Sequence, residues 1–339
     1  MPVLRKTLIF VMEQSKKIKL NRTGSLSIKI AIALMAAWFI YRRIIEKENI
    51  PDLFYEYRII FSERSGIILL TVILLLMLIN WSVEAVKWKI MIAKIESITF
   101  LKSFEAVFSG LTISFFTPNR IGEYAGRVFH LKTADRIKAT LITVIENLSQ
   151  LLVTLVAGSA ALLFYLSYFL KMEGFVFMLV TFFILLFMFS CVLIFINVSF
   201  LEIFLRRFSW AKSWMKYVEV FTYYSRLELT GVILLALLRY IIFTTQFYLL
   251  LILFDIQVSY PVAMMLIMVI FYVMSLVPTI ALTEIGVRGA VATFFLGQVT
   301  NQAAEVFQAT VSLWLINLAI PALTGTVFIF MFKLEKEKA

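Results

Sequence analysis

Residues 114–127 read Ser114-Phe115-Phe116-Thr117-Pro118-Asn119-Arg120-Ile121-Gly122-Glu123-Tyr124-Ala125-Gly126-Arg127. They close an apolar run that begins at Phe100. That run is shorter than the roughly 20 helical residues needed to cross a hydrocarbon core. Thr117 suits an N-cap, and Pro118 suits a first helical turn, where its missing N–H removes no bond. A second helix is therefore expected to start at Thr117-Pro118 and run back, making 100–116 and 118–132 a re-entrant hairpin. Its free amides and positive dipole end would then point into the membrane, a natural place for an anionic group. Arg120, Glu123 and Arg127 fall at i, i+3 and i+7 on one face, where Glu123 can pair with an arginine. Gly122 and Gly126 leave that side open to close packing or to a head group. The plainer alternative is that Arg120 and Arg127 are anchors whose heads snorkel to the surface.

Outward from this stretch the chain is a series of apolar runs, at 26–41, 66–86, 139–165, 175–198, 229–253, 258–280, 284–297 and 303–332. Hydrophobic residues make up 62% of the 339 positions and charged residues 16%, with mean hydropathy +0.94. A soluble domain would carry about 25% charged residues, so the fold class is an all-α integral membrane protein. The net charge of +11 does not form one patch. Basic residues gather at the ends of the runs, as the positive-inside rule requires, and nucleic-acid binding is not expected. A single cysteine, Cys191, excludes a disulfide framework, and a single histidine, His130, excludes a His-cluster metal site. No cofactor is expected.

Lys and Arg concentrate in segments 1–22, 87–102, 120–138, 206–226 and 333–338, and are few in 42–64, 165–174 and 254–260. Placing the rich segments in the cytoplasm requires that 100–116 with 118–132, and 258–280 with 284–297, do not cross. The expectation is six full spans, the first at 26–41, plus two re-entrant hairpins entering from opposite sides. Segments 66–165 and 229–332 then form two units of opposite orientation, joined by 175–198. Inverted repeats with broken helices are a recurrent transporter plan. Flanking them are a basic cytoplasmic N-terminus at 1–25 and a cytoplasmic tail at 333–339, with 26–332 a single polytopic domain in the cell membrane.

The second break carries a faint echo of the first. Pro118, Glu123 and Arg127 have the spacing P-x4-E-x3-R, and Pro278, Glu284 and Arg288 have P-x5-E-x3-R. Pro278 should end one helix and Thr283 should cap the next, with Gly286 among the residues of the break. Glu284 would sit at the positive end, paired with Arg288 four residues on. Charges inside membrane segments are functional by default; the plainer reading is a pair that stitches the hairpin to a neighbouring span. Glu146 and Gln150 share a face of the span after the first hairpin, and Arg239 and Gln246 lie in the span before the second. Asn80 and Glu84 close an early span. Interhelical hydrogen bonding explains the amides, whereas Glu146 and Arg239 point to a bundle interior or wet cavity. The alternating aromatic and basic residues of 200–226 suggest an interfacial amphipathic helix, and the many phenylalanines read as lipid-facing bulk.

The stretch Thr117-Pro118-x-Arg120-x-Gly122-Glu123-x3-Arg127 resembles the first signature of the lysylphosphatidylglycerol synthase transmembrane-region family, also called flippase-like membrane proteins. Asn80-Trp81-x2-Glu84-x2-Lys87-Trp88 and Leu238-Arg239-Tyr240 followed by Gln246 are similar to further motifs of that family. At the second break Gly286-Val287-Arg288 is kept, but Gly289 stands where the family has glutamate, a role that would pass to Glu284. The resemblance implies a lipid-handling domain, in some members one that moves aminoacylated phosphatidylglycerol between leaflets beside a soluble transferase domain. That domain is not expected within these 339 residues.

The leading expectation is a flippase-like transporter or lipid-binding protein for a phosphate-bearing lipid: an aminoacylated or anionic phospholipid, or a polyprenyl-linked precursor. Arg120, Arg127 and Arg288 would meet the phosphate, while Glu123, Glu284 and Glu146 would position them or carry protons. No G-x4-GK[ST] loop is present, so nucleotide-driven transport is not expected. Two other readings remain: a membrane transferase using Glu123 or Glu284 as base, and a non-transporting partner of a glycosyltransferase or lipid synthase. Against the transferase, no acid–base or metal constellation is visible in the sequence. Membrane lipids are the expected partners; oligomeric state is left open.

Overall fold

The computed structural model describes residues 63–117, 120–208, 215–277 and 281–331, and within them the chain is helical with no strand. The expected first span at 26–41 and both terminal segments lie outside the described residues, as do Pro118 and Pro278. Five described stretches are long and apolar enough to cross a membrane. They are α1 (Arg64–Ile92), α4 (Arg136–Tyr168), α5 (Gly174–Ile196), α8 (Arg226–Leu253) and the composite Ala303–Phe330. The composite consists of α11 (Ala303–Trp314), one π-helical turn (Leu315–Ala319) and α12 (Ile320–Met331).

Three apolar helices fall short of a span: α2 (Phe100–Ser114, 15 residues), α9 (Tyr260–Leu276, 17 residues) and α10 (Ala281–Leu296, 16 residues). The seven-residue α3 (Gly122–Val128) follows α2. Both breaks fall where the proline spacing put them, between Ser114 and Gly122 and between Leu276 and Ala281.

The boundaries have local causes. Thr99 caps α2 by accepting from the Lys102 amide, Asp135 caps α4 by accepting from Ile137 and Lys138, and Ser225 with Glu228 forms a full capping box on α8. In the turn before α4, Glu96 accepts from the backbone amides of Lys132, Thr133 and Ala134 at 3.0, 2.8 and 2.8 Å. Partial burial raises this carboxyl, yet those amides outweigh it and hold the group below the ordinary range.

Two expectations need correction. The stretch 200–226 is not one amphipathic helix: it contains α6 (Phe200–Arg206), α7 (Met215–Val218) and a 3-10 turn (Glu219–Thr222), with 209–214 outside the described residues. Nor is phenylalanine only lipid-facing bulk. Phe175, Phe182, Phe183 and Phe189 on α5 are exposed, but Phe108 and Phe247 are buried, and Phe104 stacks on Phe108 with centroids 4.3 Å apart.

The packing pairs helices crosswise. Helix α1 lies against α8, α2 against α12, and α9 against α4. These partners exchange when 63–168 is swapped for 226–331, since first span meets first span and each short helix meets the other segment's last span.

Close approach at the first hairpin depends on glycine. A Cβ on Gly126 would lie 2.5 Å from the Gly110 Cα, and one on Gly122 would lie 2.6 Å from the Ile113 carbonyl oxygen. The side left open by these glycines is therefore filled by α2, with no room for a head group. In contrast, a Cβ on Gly231 of α8 meets nothing within 4 Å. Gly126→Ala is expected to lower stability by about 1–3 kcal/mol through overpacking against a backbone that cannot move aside. Gly231→Ala should be neutral or raise stability by up to about 1 kcal/mol. Thermal unfolding in detergent compares them, and equal midpoints would refute the close-contact account.

Candidate functional site

Asn80, Glu84 and Lys87 recur at helical spacing on the inner face of α1, and all three are buried. Lys87 Nζ stands 3.0 Å from Glu84 Oε2 and 2.9 Å from Glu146 Oε1, the latter on α4. Arg127, on α3, donates to Glu84 Oε1 at 2.6 Å and to Glu146 Oε2 at 3.0 Å, and also pairs with Glu123 one turn back. Arg239 enters from α8 and pairs with Glu84, with Asn80 Oδ1 at 3.2 Å and Gln150 Oε1 at 3.3 Å. The Trp81 ring lies under its guanidinium at 5.3 Å.

Six charges from α1, α3, α4 and α8 thus form one network, with three carboxylates against three cations. Its middle is closed to the surface: the side chains of Lys87, Arg127 and Glu146 are 0% exposed. A lone charge so placed would cost several kcal/mol in desolvation, and only the full set of partners offsets that. Through its two terminal nitrogens Arg127 reaches carboxylates on α1, α3 and α4 and so ties three helices together, while its Nε has no hydrogen-bond partner among the described residues.

The second group lies where the two breaks meet. Arg120 donates through Nη2 to Glu284 Oε1 at 2.8 Å, across 164 residues. Arg288 reaches the same oxygen through Nε at 2.9 Å and Nη2 at 2.6 Å. Here two cations share one carboxylate, leaving an excess positive charge. Arg120 is 39% exposed and Arg288 22%, whereas Glu284 is 5% exposed. Arg120 has φ 56°, in the left-handed region that a non-glycine residue enters at a cost.

Several expectations at the breaks are revised by this geometry. Thr117 Oγ1 accepts from the Gly122 amide at 2.7 Å, but the helix starts at Gly122 with Ile121 at its N-cap position, so Thr117 is not its N-cap. Arg120 therefore precedes the helix, and its left-handed backbone turns it away from the Glu123–Arg127 face, toward Glu284. Helix α10 is described from Ala281, and the expected Thr283 cap, like Pro278 before it, lies outside what the structure describes. Gly286 is exposed and Glu284 buried beside it. Both E-x3-R pairs form, Glu123 with Arg127 and Glu284 with Arg288.

The remaining polar residues stitch helices. Gln150 Nε2 donates to the Ala236 carbonyl at 3.4 Å, and Gln246 Nε2 donates to the Ile73 carbonyl at 2.9 Å. Lys87 is the group that reading by sequence missed as a site residue. It ends an apolar run and reads as a positive-inside anchor; its signals are the three-residue spacing from Glu84 and its place in the Asn80–Trp88 motif. Removing it should expose the network's logic. Lys87→Met leaves Glu84 and Glu146 with less cation than they need and is expected to cost about 3–5 kcal/mol. Adding Glu146→Gln removes the surplus charge and should recover part of that loss. Denaturant unfolding of the two single variants and the double variant checks this, and simply additive costs would show that the two groups do not interact.

A family model described as "Lysylphosphatidylglycerol synthase TM region" matches residues 26–325, most of the chain. No curated protein and no solved structure matches.

Proposed function

We propose, from the premise that this chain belongs to the lysylphosphatidylglycerol synthase TM region family, that it is a flippase-like lipid transporter. Its cargo on this reading is a phosphate-bearing lipid, moved between leaflets. The observation that carries the reading is the Arg120–Glu284–Arg288 group: excess positive charge, partly exposed, at the meeting of two interrupted helices in a multi-pass membrane protein. Arginine forks suit phosphate oxygens bidentately, and a charge kept inside a membrane domain marks a substrate path by default.

Within this reading Arg120 and Arg288 meet the phosphate, and Glu284 positions them. Arg127, Glu123 and Glu146, with Lys87, Glu84 and Arg239, instead hold the scaffold, because their charges are already matched. The domain is not itself an enzyme on this reading, and lipid is its partner. A separate lipid-modifying enzyme would supply the substrate.

The crosswise packing of α1 with α8, α2 with α12 and α9 with α4 supports an inverted repeat of 66–165 and 229–332. The protein would lie in the cell membrane with both termini cytoplasmic. In a Cys191→Ser background, cysteines replacing Ser167 and Ser259 should react with an impermeant maleimide from outside, and one replacing Ser213 only after permeabilisation. Labelling of the Ser213 position from outside would overturn the topology.

Transport itself is tested in proteoliposomes carrying head-group-labelled lipids and an impermeant quencher. Arg288→Ala should slow protein-dependent flipping at least about tenfold, the equivalent of roughly 1.4 kcal/mol of lost phosphate contact. Gly231→Ala, remote from the charges, should flip at the wild-type rate. Absence of flipping for every lipid, with the protein folded, would turn the reading toward head-group chemistry and product analysis.

A further inference from the structure

The two charge groups differ in one respect that bears on how a ligand enters. In the network around Arg127 every charge is matched and the centre is closed to solvent. In the group at the breaks, a single carboxylate oxygen receives both arginines, Arg120 from the first hairpin and Arg288 from its own helix. The Glu284 side chain is nine-tenths buried, while the arginines it binds retain exposed surface.

We infer that Glu284 is an internal stand-in for the ligand's phosphate, and that an arriving phosphate displaces it from Arg120. The inference rests on the lipid-handling reading above and adds a competitor and a consequence to it. A carboxylate and a phosphate present the same kind of acceptor to a guanidinium, so only one can occupy the inner side of Arg120 at a time. Arg288 is tied to Glu284 within one helix turn and keeps that partner when Arg120 lets go. Among the described residues Arg120 has no such local tie: its strained backbone projects it across to α10, and the Glu284 contact is its described ion pair.

Exchange of partners on Arg120 therefore breaks a link between the two hairpins without leaving an unpaired charge behind. Opening becomes conditional on anion binding, because the differential contact exists only when a phosphate takes the vacated place. A neutral lipid offers no replacement for Glu284 and leaves the link closed. The ligand chemistry is a phosphate oxyanion, whether on a lipid or free.

Spin labels on cysteines replacing Ile121 and Gly286, both exposed, report the hairpin separation in a Cys191→Ser background. The labelled protein in maltoside is compared alone, with inorganic phosphate, with short-chain phosphatidylglycerol, and with diacylglycerol of the same chains. Phosphatidylglycerol is expected to populate a longer distance and diacylglycerol to leave the original one. Lengthening by inorganic phosphate as well supports the exchange with a free anion as sufficient ligand; lengthening by the phospholipid alone supports it with a lipid head group.

Glu284→Gln should show the longer distance with nothing added. It should also bind phosphatidylglycerol about tenfold more tightly, since the internal competitor no longer reduces the competent fraction. Glu284→Asp, which keeps the charge but shortens its reach, should lie between wild type and Glu284→Gln, and it carries the test if the glutamine variant fails to fold. Wild type that binds phosphatidylglycerol at an unchanged distance, or a folded Glu284→Gln at the shorter distance, overturns the exchange. Flipping that proceeds with no change of distance overturns it too while leaving transport intact; a change of distance with no flipping of any lipid does the reverse.

Discussion

The structure depends on a balanced set of charges held out of water. Glu84, Glu123 and Glu146 face Lys87, Arg127 and Arg239 at the junction of four helices, and none of the six is tolerable alone at that depth. The mutual attraction offsets desolvation only while the geometry brings every partner within reach. That requirement constrains far more than a salt bridge at a surface would. It sets the rotation of α1 about its axis, the depth at which α3 returns into the bundle, and the height of α4 and α8 relative to both.

The interrupted hairpin is what lets Arg127 arrive there. A continuous helix through 100–128 would carry Arg127 about 40 Å from the start of α2 at 1.5 Å per residue, beyond the bundle interior. Breaking after Ser114 folds α3 back along α2, and the contact of Gly126 on Gly110 brings the two backbones close enough to share one layer. Thr117 then replaces the backbone bond lost at the break by accepting from Gly122. Glycine contact, the Thr117–Gly122 hydrogen bond and buried arginine are three parts of one arrangement.

The spans were legible because apolar length is a local property: the runs read at 66–86, 139–165, 175–198 and 229–253 lie within α1, α4, α8 and, but for its last residues, α5. The ends of α2 and α9 were legible as well, since each falls within a few residues of a proline in the sequence. The E-x3-R spacing correctly foretold both i,i+4 pairs. What sequence concealed was pairing across distance. Lys87 reads as a terminal anchor because nothing nearby announces Glu146, and Arg120 reads as part of a helical face because its left-handed φ is not written in neighbouring residues. Arg127 and Arg120 look alike in sequence, two basic residues seven positions apart in one short stretch, yet one is sealed among carboxylates and the other stays partly open.

That divergence follows from charge balance. Around Arg127 a ligand phosphate would have to enter a closed cluster whose three carboxylates already balance its three cations, adding negative charge where no cation is in surplus and no surface is open. Around Arg120 the displaced carboxylate keeps Arg288, so the exchange strands nothing, and partial exposure gives the incoming oxyanion a route. Two motifs of the same spacing therefore take opposite parts: the one whose charges cancel serves as scaffold, and the one left with a surplus cation is the place where an anion gains more than it costs.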